Sequence, residues 1–147
     1  MNLSETGHKQ KSLEMLKQII KTDGHNGHAL YLYAKGLYFA GQADSALNYL
    51  ERSARYINTL ESTRLFARIY EEKGDLQNAE RYYLRAVYMV PNRFQSRYDL
   101  MQFYMANADK TRAAFWANSI LKLPEKIPSQ RTKRIKEEAD SLYHQLY

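Results

Sequence analysis

At 147 residues the chain has the length of one domain, and 22 Lys and Arg against 16 Asp and Glu give it a formal net charge of +6. Having no Cys, it cannot form disulfides, thiolate nucleophiles or thiolate metal sites. With a mean hydropathy of -0.67 and no apolar stretch approaching the roughly 18 residues a bilayer demands, the sequence excludes a transmembrane helix.

The first helix is expected over about residues 9–22, where Leu13, Leu16, Ile19 and Ile20 share a face and Asp23-Gly24 ends it. The segment before it, Met-Asn-Leu-Ser-Glu-Thr, lacks the charged start and apolar core of a secretory signal. That fits a cytoplasmic protein, or a periplasmic one if the chain is a fragment of an envelope protein. Aligning Ser12, Leu13 and Leu16 with Ala46, Leu47 and Leu50 makes this helix the second member of a pair without its first. It is expected to cap a stack or to continue one cut from a longer chain.

Three helix pairs follow, carried by a repeat. Tyr70, Asp75 and Ala79 recur 34 residues on as Tyr104, Asp109 and Ala113, while Gly41, Ala34 and Ala46 recur 33 residues on as Gly74, Ala67 and Ala79. A period of this size marks stacked helix-turn-helix units, none able to bury its apolar face alone. Ala46, Ala79 and Ala113 remove bulk where the second helix of a pair crosses the first. Asp75 and Asp109 stand where that second helix begins and read as caps for its free N–H groups. Gly41 and Gly74 suit a left-handed residue at the turn, and Pro91 and Pro124 follow helices that they cannot continue. A last helix is expected from Pro128 or Ser129, with Ile135, Ala139, Leu142 and Leu146 on its apolar face and Tyr143 alongside.

These residues resemble the tetratricopeptide repeat. The middle copy fits best, through Ala67, Tyr70, Gly74, Ala79, Tyr83, Ala86 and Pro91; in the third, Met101 and Ala108 replace the usual small residue and Gly. The resemblance implies an all-α fold, a right-handed α-solenoid of antiparallel helix pairs with about seven helices. Its expected parts are a half repeat or N-terminal cap (1–26), repeats at 27–59, 60–93 and 94–127, and a C-terminal capping helix (128–147). It further implies a concave groove lined by the first helix of each pair. The positions facing it are His28, Tyr31, Lys35 and Tyr38, then Arg64 and Arg68, then Tyr98 and Gln102, a basic and aromatic surface. Arg64 and Arg68, one turn apart, project from one face and are placed to grip a carboxylate; the competing reading pairs them with Glu61, Glu71 and Glu72 of their own helix. The carboxylate clamp of chaperone-binding tetratricopeptide domains is not reproduced.

The implied function is non-catalytic: binding a protein or peptide segment, acidic or aromatic-rich, with no cofactor and no metal. His25 and His28 flank a turn with Asp23 as the nearest carboxylate, short of a metal site. The carboxylate pairs Glu71-Glu72 and Glu137-Glu138 are expected to be solvated rather than tuned for acid–base work. Nucleic acid is the rival partner, through Lys122, Lys126, Arg131, Lys133, Arg134 and Lys136; Glu125, Glu137, Glu138 and Asp140 interrupt that run, and a solvated capping helix explains it better. The stretch LKLPEKIPSQRTKRIKEEA also looks like the tail of the soluble repeat region of bacterial O-antigen-ligase or polymerase-type membrane proteins, which implies a membrane domain upstream in a longer parent.

Overall fold

The computed structural model describes residues 3–147, with side chains from Thr6 onward. Among these residues it is all-helical: α1 (Leu3–Thr22), α2 (Gly27–Phe39), α3 (Ala43–Ser53), α4 (Leu60–Glu72), α5 (Leu76–Met89), α6 (Phe94–Ala106), α7 (Lys110–Leu121) and α8 (Gln130–Leu146). The eight helices are the opening helix, three pairs and closing helix expected in chain order, one more than the total of about seven. The chain divides into two compact units, residues 1–79 and 80–147, with the division inside α5.

In the first unit, α1 begins six residues earlier than the apolar pattern indicates. Its first turns carry Ser, Glu, Thr and Lys, which sustain a helix without marking a buried face, so periodicity is blind to them. α1 lies against α2, and Leu16 packs on a core of Ile20, Ala29 and Leu30 that also takes in Tyr33 and Tyr49. Asn26 caps α2 by accepting the Ala29 N–H at 3.0 Å. α2 and α3 pair around Ala34, Ala46 and Leu50, none of which retains exposure. The turn between them holds Gly41 at φ 78°, and Gly74 after α4 adopts φ 76°, left-handed conformations that glycine adopts without a steric penalty. The buried Ser53 hydroxyl donates to the Gly27 carbonyl at 2.7 Å, tying the end of α3 to the start of α2. α4 starts in a reciprocal cap: Ser62 N–H donates to the Thr59 hydroxyl oxygen and Thr59 N–H to that of Ser62, each at 3.1 Å.

The second unit repeats the plan. α6 pairs with α7 around Met101, Tyr104, Ala113, Ala117 and Ile120, all buried. Asp109 caps α7 by accepting the Arg112 N–H at 2.9 Å, as Asp75 accepts the Asn78 N–H at 3.2 Å in the first unit. Those hydrogen bonds hold both carboxyls below the usual Asp range, at Asp75 chiefly through the Asn78 side chain and at Asp109 chiefly through the Arg112 backbone. α8 is capped by Ser129 with Thr132 as the reciprocal partner, so Pro128 lies just outside the helix rather than in its first turn. Ile135 and Ala139 are buried, Leu142, Tyr143 and Leu146 half-buried, and the helix packs mainly on α7 and also on α6.

Candidate functional site

The resemblance places six of its eight groove positions in the first unit, on α2 and α4, which contact each other. On α2, residues 28, 31, 35 and 38 follow the three-and-four spacing of one helix face. His28 and Lys35 are exposed, Tyr38 is half-buried and Tyr31 is buried. On α4, Glu61, Arg64, Arg68 and Glu72 make the facing stripe, with Arg68 exposed and Arg64 half-buried.

The two stripes meet through tyrosines. Burial pushes the Tyr31 hydroxyl above its ordinary pKa; the Glu61 carboxylate adds to that shift and the Arg64 guanidinium opposes it. Tyr38 repeats the arrangement two turns along. Burial raises it first, Glu72 accepts its hydroxyl proton and raises it further, and Arg68 opposes. Each tyrosine therefore stays neutral near a carboxylate and an arginine of α4, and Tyr38 donates its hydroxyl hydrogen bond to Glu72. The face that the sequence paints as basic is mixed in charge, because Glu61, Glu71 and Glu72 lie among its cations. Glu72 also answers Tyr38 of the neighbouring helix, a partner that neither reading of the arginines names. The legible signal was the repeat register, which sets Tyr31 against Arg64 and Tyr38 against Glu71.

Tyr98 and Gln102 stand on α6 in the second unit. The Tyr98 hydroxyl donates to Glu138 Oε2 of α8 at 2.5 Å, and Arg134 Nε lies 3.5 Å from the same carboxyl group. Tyr98 is thus raised by burial and then by Glu138, while Gln102, one turn on, remains exposed. Tyr98 is committed to holding α8, and Glu138 is not simply solvated. A related cluster lies nearby: the Tyr104 hydroxyl donates to Glu80 at 2.6 Å, Arg112 pairs with Glu80 and with Asp109, and its guanidinium sits 4.7 Å over the Tyr104 ring. Burial, then Glu80, pushes Tyr104 up to about 12.

Two exposed apolar side chains accompany the first-unit face. Leu32 and Phe39 flank Lys35 on α2, at 37% and 68% exposure, and the Phe39 ring meets the edge of Tyr38 at 5.4 Å. Among the described residues no three His, Asp or Glu side chains gather as metal ligands, and no helix is long and apolar enough to cross a membrane. His25 and His28 instead touch the rings of Tyr56 and Tyr31.

No family model matches the sequence, and no curated protein matches it. Solved structures do. MamA shares 16% identity over 99% of this chain and 93% of its own, with a TM-score of 0.73. YrrB, described as a TPR protein with an unusual peptide-binding site, shares 13% over 98% of this chain and 84% of its own, at 0.70. A tetratricopeptide repeat protein from Parabacteroides merdae shares 18% over 97% of this chain and 59% of its own, at 0.73. At these identities the likeness is one of architecture, and the fold of this chain is that of the tetratricopeptide-repeat solenoids.

Proposed function

We propose that the chain is a non-catalytic protein-interaction module that binds a partner segment on the α2 and α4 face, through His28, Tyr31, Lys35, Tyr38, Arg64 and Arg68. The observation that carries the reading is the stripe of Lys35, Tyr38, Arg64 and Arg68 left exposed or half-buried on two touching helices, where the Tyr38 hydroxyl donates to Glu72 and is held in place before any partner arrives. A preorganised surface loses less side-chain entropy on binding. Support by analogy comes from YrrB, whose description names a peptide-binding site on the same fold. The resemblance to O-antigen-ligase tails gains no support from these matches.

The basic C-terminal run favours nucleic acid less than its composition suggests. Lys136 Nζ lies 3.2 Å from Glu125, Lys133 Nζ 4.0 Å from Glu137, and Arg134 Nε 3.5 Å from Glu138. Such surface pairs add little stability, but they lower the local positive potential that phosphate binding requires.

A screen of peptides and oligonucleotides at low and moderate salt, using the parent chain, Arg64→Glu with Arg68→Glu, and Lys133→Glu with Arg134→Glu, tests the reading. Peptides should bind the parent and the tail variant, and lose about tenfold or more on the α4 variant while its helical spectrum is unchanged. Loss of the partner in the tail variant alone, or oligonucleotide binding that falls steeply with salt, would replace the reading with nucleic-acid recognition.

A further inference from the structure

The cations on the first-unit face are not equivalent. Arg64 is half-buried, and its charge and that of Glu61 act in opposite directions on the Tyr31 hydroxyl. Lys35 and Arg68 occupy corresponding repeat positions, 33 residues apart, on the two helices that touch. Both are exposed, and among the described residues neither forms an ion pair, although Asp44, Glu80, Asp109, Glu125, Glu137 and Glu138 all have a basic partner. Glu72, four residues after Arg68, takes its hydrogen bond from Tyr38 instead.

Apolar surface adjoins this pair. Leu32, Lys35 and Phe39 form one stripe on α2 by helical spacing, and the Phe39 ring stays 68% exposed with its neighbour Tyr38 fixed behind it. The open Phe39 ring beside Lys35 offers apolar contact area next to a cation. The carboxylates Glu61, Glu71 and Glu72 bound the same area, and they repel any run of acidic residues laid across it.

Resting on the function proposed above, we infer that the occupant is a protein segment in which one acidic side chain stands beside a large apolar one, its carboxylate between Lys35 and Arg68 and its apolar group on Phe39. Lys35 and Arg68 supply attraction for one carboxylate, Phe39 and Leu32 supply apolar area, and the flanking glutamates exclude polyacidic tracts. Charge and apolar contact are read together, so either feature alone gives only weak binding.

Fluorescence anisotropy with four labelled peptide designs decides the matter: one acidic residue beside Phe or Leu, the acid alone, the apolar residue alone, and a polyglutamate tract. The parent chain should bind the first design at least tenfold more tightly than the other three. Lys35→Glu with Arg68→Glu should abolish that preference while leaving the weak apolar-only binding in place, and Phe39→Ser should erase the advantage of the apolar neighbour. All three side chains are exposed, so circular dichroism should show unchanged helix content in each variant. Polyglutamate binding as tightly as the first design overturns the inference, as does first-design binding that ignores Lys35→Glu with Arg68→Glu while amide shifts still map to α2 and α4. If no peptide of any design or library binds that face, the parent function falls and the inference with it.

Discussion

Ala108 carries a cost that its two counterparts avoid. It occupies the turn position of Gly41 and Gly74 and adopts φ 59°, a left-handed conformation in which the Cβ crowds the following carbonyl oxygen. Ala108→Gly should therefore stabilise the chain by about 1 kcal/mol, raising the thermal midpoint by a few degrees; a midpoint at or below the parent's would show that the turn is not strained. Tyr104 gives a prediction in pH. Its folded pKa, about 12, lies above the unfolded value near ~10, so the fold retains a proton that the unfolded chain releases. The associated stability is complete below about pH 10 and disappears as pH climbs toward about 12. Chemical denaturation at a series of alkaline pH values should show Tyr104→Phe losing less stability than the parent across that window. Equal slopes would place the phenol outside the Glu80 contact.

Helices are held by matched ends and by small residues at crossings, and the sequence records the crossings better than the ends. Ala46, Ala79 and Ala113 are fully buried, because a recurring small residue between large ones leaves a clear mark in a repeat. The cap of α3 shows what a repeat pattern conceals. Gln42 stands where Asp75 and Asp109 stand in the later copies, and its side chain makes no capping bond. Gln42→Asp should add about 0.5–1 kcal/mol by bonding a free N–H of the first turn; a denaturation midpoint that does not rise would mean that the Gln42 backbone, at φ -102°, cannot present a carboxylate. α8 depends on Ile135, which is 2% exposed. Truncation to Ala should cost about 2–5 kcal/mol, and an Ile135→Ala chain that melts with the parent would mean α8 contributes little to the second unit. The early start of α1 and the position of Pro128 were not legible, since polar first turns and a residue beside a cap carry no periodic signal.

For the molecule as a whole, the fold was written in the 33- and 34-residue periods, whereas the chemistry of the binding face was only half written. Sequence spacing names the residues of α2 and α4 that share a face, but it cannot say that Tyr38 reaches Glu72 on the neighbouring helix, or that Glu61 and Arg64 act in opposite directions on the Tyr31 hydroxyl. Nor does spacing separate Arg64, placed beside Glu61, from Arg68, which has no ion-pair partner among the described residues. Tyr98, assigned to the groove by register, is spent on Glu138 because α8 packs on α6. The net charge of +6 belongs to this scale as well: it would speed encounter with an acidic partner, while the local mixture of charges selects among such partners. The central claim is that partners bind α2 and α4, and its most direct test is backbone amide chemical-shift mapping of the isotope-labelled chain with a peptide selected against it. The account predicts shifts concentrated at residues 28–39 and 61–72, with α8 silent; shifts confined to residues 122–136, or spread without regard to the α2 and α4 stripes, would contradict it.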